Sequence, residues 1–119
     1  PNKIKYYQDL LNIVTFAKSL IKKKKFNLKS FGELLDKNWS LKKKLSKNIT
    51  NLEIDELYTK CLKMGAIGGK VLGAGSGGFL FIVIKKDKKK KLIQQLKSSK
   101  IYSFMNSSKG VEVLYKNFY

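Results

Sequence analysis

The stretch Gly65–Ile84, "GAIGGKVLGAGSGGFLFIVI", puts seven glycines into its first fourteen residues and then runs into six bulky apolar ones. A Walker-type phosphate loop would need Ser or Thr directly after Lys70 to hold magnesium, and a helix to follow; Val71 stands there instead. Gly73, Gly75 and Gly78 do spell G-x-G-x-x-G. That dinucleotide fingerprint leads from a strand into a helix, however, and here it leads into Phe79–Ile84, whose β-branched and aromatic residues make a strand. The remaining reading is a glycine turn between two strands, Ala66–Leu72 and Gly78–Ile84. A simple hairpin needs only one or two glycines, and this turn has Gly73, Gly75, Gly77 and Gly78 around Ser76. The surplus suggests close approach by something else, and the residues alone leave open a functional loop or a tight structural corner.

Working outward toward the N-terminus, the pattern is helical. From about Tyr6 to Lys24, the residues Tyr6, Leu10, Ile13, Val14, Ala17, Leu20 and Ile21 recur at three- and four-residue spacing. Ser30 followed by Glu33 predicts a capping box and a second helix starting there, with Phe31, Leu34, Leu35, Trp39, Leu41 and Leu45 as its apolar stripe. Thr50 with Glu53 predicts a third helix, buried through Ile54, Leu57, Tyr58, Cys61, Leu62 and Met64 and stopped by Gly65. Beyond the glycine stretch, "DKKKKLIQQLKSS" predicts a short helix capped by Asp87. "IYSFM" and "GVEVLY" predict two more strands around a turn at Asn106–Gly110. Helices first, then mostly antiparallel strands with one crossing helix, is an α+β sandwich, and residues 1–119 form a single domain.

Composition sets the outer bounds. The chain has 26 basic and 8 acidic residues, a net charge of +18, and all 26 bases are lysine. Nucleic acid is the first partner such a charge suggests, yet base readout leans on the bidentate guanidinium, which lysine cannot supply. A basic nucleic-acid-binding module without catalytic activity is therefore the alternative reading, and a solvated lysine surface is favoured over it. The longest apolar run, Phe79–Ile84, is far short of the roughly 18 residues that cross a bilayer, so no membrane partner is expected. The single cysteine, Cys61, excludes an internal disulfide and fits a reducing cytoplasm. With no histidine to activate it, Cys61 is expected to be core, and no zinc site is expected.

The stretch "GAIGGKVLGAGSGGFLFIV" resembles the C-terminal glycine-rich signature of the GHMP kinase superfamily, and "LLDKNWSLKKKLSKNITNLEIDELY" is similar to its D-glycero-D-manno-heptose 7-phosphate kinase branch through Trp39, Lys42, Ser46 and the "N-x-x-I-D-x-L-Y" run. The likeness covers roughly Phe31 to Val83. It implies a ferredoxin-like antiparallel sheet with helices packed on it, preceded by a helical N-terminal half. It also implies that Gly73, Ala74, Gly75, Ser76 and Gly77 line the cleft against the nucleotide-phosphate loop. The reaction implied is transfer of a phosphoryl group from Mg·ATP to the anomeric hydroxyl of the sugar phosphate. The family's serine- and glycine-rich ATP-phosphate loop, its catalytic aspartate and its phosphate-neutralising lysine are not in this sequence. The chain, which begins at Pro1, is thus expected to be the C-terminal part of a cytoplasmic kinase, inactive alone, with ATP and Mg2+ bound mainly by an N-terminal kinase domain of the same protein. A helical face left uncovered by that domain would favour a homodimer in isolation.

Four further residues are candidates for the sugar pocket. Asn38 and Lys42 interrupt the apolar stripe of the second helix. A lysine there either meets a sugar phosphate as a point charge or snorkels to water. Trp39 stacks on a sugar ring or belongs to the core. Lys70 attracts phosphate or faces solvent. Asp55 and Glu56 are adjacent on the third helix and point to different faces, which excludes a catalytic carboxylate pair.

Overall fold

The computed structural model describes residues 3–73, 78–96 and 100–102. Four helices and one antiparallel strand pair follow in the order α1 (Lys3–Lys22), α2 (Leu28–Leu45), α3 (Leu52–Lys63), β1 (Ala66–Leu72), β2 (Phe79–Ile84) and α4 (Lys86–Gln95). Helices precede the sheet and one helix follows it, as an α+β domain of this kind requires. The glycine stretch is the turn between two strands, since β1 and β2 pair antiparallel with Leu72 opposite Phe79. The strands expected within "IYSFM" and "GVEVLY" lie outside the described residues, apart from Ile101 and Tyr102, which are in neither strand nor helix.

The helix starts differ from the sequence reading. Helix α2 begins two residues early because Asn27, not Ser30, is its cap. The Asn27 side chain accepts from the Ser30 backbone N–H at 2.9 Å, and the Ser30 hydroxyl accepts from the Asn27 N–H at 2.9 Å. Glu33 instead forms an exposed 3.8 Å pair with Lys29. Helix α3 is capped by Asn51, which accepts from Ile54 N–H at 2.9 Å, while the Thr50 hydroxyl bonds Asp55. Asparagine outranks threonine as a cap, which favours Asn51 over the adjacent Thr50, while Asn27 lies three residues before Ser30 and uses it as the other half of the box. Helix α4 starts after Lys85 with no side-chain cap, and Asp87 falls in its first turn. Helix α1 ends in a Schellman turn: Lys25 N–H donates to Leu20 C=O and Lys24 N–H to Ile21 C=O, which puts Lys24 at a φ of 54°. At the end of α3, Gly65 takes the predicted stop with a φ of 100°.

Two packing centres hold the domain. In one, Cys61 of α3 and Leu92 and Leu96 of α4 pack with Leu57, Met64, Ala66, Ile82 and Ile84. The expected core role of Cys61 holds; it is 1% exposed, and burial pushes its thiol up from the ordinary range. In the other, α2 lies on β1, and α1 lies on α2 with Ile13 buried and Tyr6 beneath the Lys44 ammonium at 5.6 Å. Phe31 of α2 meets Phe81 of β2 edge-on at 6.2 Å and Phe26 at 5.8 Å.

Candidate functional site: the α2–β1 junction beside the glycine turn

The contact between α2 and β1 is backbone on backbone. A Cβ on Gly68 would collide with the Gly32 carbonyl, and one on Gly32 would come within 2.6 Å of the Ile67 side chain. The strand register shifts between Ala66 and Gly68, so Ile67 is the extra residue of a bulge at that point. A Cβ on Gly69 would strike the Phe81 carbonyl of β2. Gly68 is thus accounted for by the close approach of helix and strand, and Gly69 by the close approach of the neighbouring strand. Gly73 and Gly78, with φ of 105° and 132°, open and close the turn in backbone geometry that only glycine adopts freely.

A polar lock fastens the same junction to α3. The Tyr58 hydroxyl donates to the Asp36 carboxylate at 2.5 Å and accepts from the Gly69 backbone N–H. Tyr58 is 5% exposed, and its phenol is pushed up from the ordinary 10.0, first by burial and then by the Asp36 carboxylate. No sequence argument singled out Asp36 or Gly32. The signal was there in a glycine inside the helical stripe of α2 and paired glycines in a strand, both of which mark close backbone approach.

Of the candidate residues on α2 and β1, Lys42 and Lys70 are neighbours. Strand side chains alternate faces, so Lys70 shares the Gly68 face of β1, the face that meets α2. There Lys70 lies against Lys42, one to two turns beyond Asp36 along the helix. Burial first, and the neighbouring Lys42 ammonium second, hold Lys70 below its ordinary 10.5. Lys42 and Lys70 are both half-buried, and the two ion pairs among the described residues, Lys29–Glu33 and Lys43–Asp55, involve neither. Asn38 is half-buried on the same helix. Trp39 is 3% exposed, so it belongs to the core; its indole N–H has no hydrogen-bond partner among the described residues. Asp55 is held by Lys43 at 3.4 Å and Thr50 at 2.9 Å. Ala74, Gly75, Ser76 and Gly77 lie outside the described residues; their place in the chain is between Gly73 and Gly78, at the end of the strand that carries Lys70.

Chemically, this arrangement is a cationic edge beside a glycine turn, built where a helix and a strand touch through glycine. Among the described residues no three histidine, cysteine, aspartate or glutamate side chains gather to hold a metal ion, and no helix is long and apolar enough to cross a membrane.

This helix-and-hairpin arrangement, with glycines on both sides of the contact, defines an α+β domain of the GHMP kinase C-terminal kind. The chain belongs to that family: residues 16–102 match the family described as GHMP kinases C terminal. It is 34% identical over 85 residues to a D-glycero-alpha-D-manno-heptose 7-phosphate kinase of Campylobacter jejuni, covering 70% of this chain and 25% of that protein. It is 35% identical over 74 residues to a mevalonate kinase of Methanocaldococcus jannaschii, covering 62% of this chain and 23% of that protein. The chain thus spans about a quarter of the length of the curated relatives that it matches, and both relatives are kinases.

Proposed function

We propose that this domain serves an ATP-dependent sugar kinase that phosphorylates the anomeric hydroxyl of D-glycero-D-manno-heptose 7-phosphate. The observation that carries the choice of acceptor is the pairing of Lys42 and Lys70 with no carboxylate partner among the described residues. Two adjacent ammonium groups match a dianionic phosphate monoester better than a monoanionic carboxylate, because each additional unit of ligand charge adds a Coulomb contact in a half-buried setting. An acceptor that already carries a phosphate is what the heptose kinase relative's name specifies.

In this reading Lys42 and Lys70 bind and orient the 7-phosphate, and Asn38 offers an amide to the sugar hydroxyls. The turn Gly73–Gly78 lets the nucleotide-phosphate loop of the rest of the chain approach closely. Trp39 supports α2 from within the core. ATP, with Mg2+, supplies the γ-phosphoryl group, which passes to the anomeric oxygen as ADP leaves and the hydroxyl proton is lost. In this reading the domain contributes positioning and charge neutralisation of the acceptor.

The test is to assay the kinase that carries this domain with Mg·ATP and either heptose 7-phosphate or mevalonate. Heptose 7-phosphate is the expected substrate, with Lys42→Met and Lys70→Met raising its KM at least tenfold and changing kcat less. Activity confined to mevalonate would refute the reading. Retention by RNA that vanishes between low and moderate salt, without kinase activity, would favour the basic-module alternative.

A further inference from the structure

Helix α1 carries a second apolar stripe besides the one that packs on α2. Ile4, Tyr7, Leu11, Val14, Lys18 and Ile21 follow alternating three- and four-residue steps, the spacing of a coiled-coil seam. The five apolar members are 69%, 58%, 66%, 48% and 60% exposed, so nothing in the described structure covers them, and Lys18 is exposed among them. Most of the seam precedes Phe16, where the match to the family begins.

We infer that this seam pairs with the α1 seam of a second copy of the chain, antiparallel. The spacing is symmetric about the point between Asn12 and Ile13, so reversing the helix superimposes the seam on itself. Across a two-fold axis Ile4 meets Ile21 of the other copy, Leu11 meets Val14, and Tyr7 meets Lys18. This is the isologous arrangement that a two-fold dimer requires. Its one cationic seam residue falls opposite its one aromatic residue, where an ammonium gains from the ring face. A parallel pairing would instead stack Lys18 on Lys18.

Charge placement agrees with a like partner. The positions flanking the middle of the seam are Gln8, Leu10, Thr15 and Ala17, none of them charged. The lysines Lys3, Lys22 and Lys24 sit at the two ends, where solvent and salt reach them. With +18 on each copy, association works against long-range repulsion and strengthens as salt is added. An acidic protein, an anionic membrane or a nucleic acid as occupant would show the opposite salt dependence.

Sedimentation equilibrium of the chain, from low to high micromolar concentration at about 0.02 M and about 0.3 M salt, tests this. A monomer–dimer equilibrium that tightens with salt is expected, weakened more than about tenfold by Leu11→Glu or by Val14→Lys. Both residues are exposed, so circular dichroism of each variant should match the parent. Mixing the Leu11→Glu and Val14→Lys chains should restore dimers, because only antiparallel pairing sets residue 11 against residue 14. A monomer at every concentration, a dimer indifferent to both substitutions, rescue by mixing Leu11→Glu with Leu11→Lys instead, or association lost as salt rises would each overturn the inference.

Discussion

Gly32 and Gly68 stand backbone to backbone, so that a single methyl group on Gly68 would overlap the Gly32 carbonyl oxygen. The partner is main chain, not the far end of a flexible side chain, and α2 would have to lift off β1 to make room. Gly68→Ala should therefore cost about 2 kcal/mol or more. Urea unfolding reads that loss directly, and a melt should show a Tm lower by roughly 8–12 °C. A variant as stable as the parent would mean that α2 does not rest on β1 as described.

The Tyr58–Asp36 bond gives a pH prediction. The Tyr58 phenol is held above 10.0 in the folded chain, so its contribution is fully present below pH 10. Above that, the unfolded chain ionises first and binds fewer protons, and stability falls as pH rises toward the folded value. Tyr58→Phe should lose about 1.5 kcal/mol at neutral pH, because the Asp36 carboxylate loses its donor. Between about pH 9 and 11 its stability should decline less steeply than that of the parent. Parallel slopes for the two proteins would contradict the lock.

Lys70 titrates the other way. Its folded value lies below 10.5, so the unfolded chain binds more protons in the window beneath 10.5, and stability rises with pH through that window. Lys42→Met removes the adjacent ammonium and should move Lys70 back toward its ordinary value. Lysine side-chain NMR resonances followed through the alkaline range would show it. An unchanged Lys70 titration would mean that burial alone sets its value and that the two lysines do not meet.

Lys24 occupies the left-handed position of the α1 Schellman turn, where glycine carries no steric penalty. Lys24→Gly should leave the fold intact and stabilise it by about 0.5–1 kcal/mol, since relief of the strained backbone outweighs the added freedom of the unfolded chain. Thermal denaturation would detect a rise of a few degrees. A fall would indicate that the Lys24 side chain makes a stabilising contact of its own.

Much of this architecture was written in local patterns. The three- and four-residue apolar spacing of α1 to α3, the stop at Gly65 and the change of period into Phe79–Ile84 each depend only on neighbours along the chain, and these elements lie close to where they were expected. The caps were read less well, since Ser30, Thr50 and Asp87 were expected and Asn27, Asn51 and Lys85 hold those positions. In α3 the stronger acceptor, Asn51 over Thr50, decided the helix start, and in α2 Ser30 serves as the third residue of the box that Asn27 caps.

The sequence by itself determined the order of the described elements, the turn character of the glycine stretch, the burial of Cys61 and the place of Lys42 as a lysine within an apolar stripe. Only the tertiary structure decided that Gly32 and Gly68 answer to helix–strand contact and Gly69 to strand–strand contact, that Tyr58 bonds Asp36 and that Lys42 meets Lys70. Those pairs are far apart along the chain. Nothing in the periodicity of one element states which residue of another will face it until α2 has settled against β1, and that docking depth is set by the missing Cβ atoms at the contact.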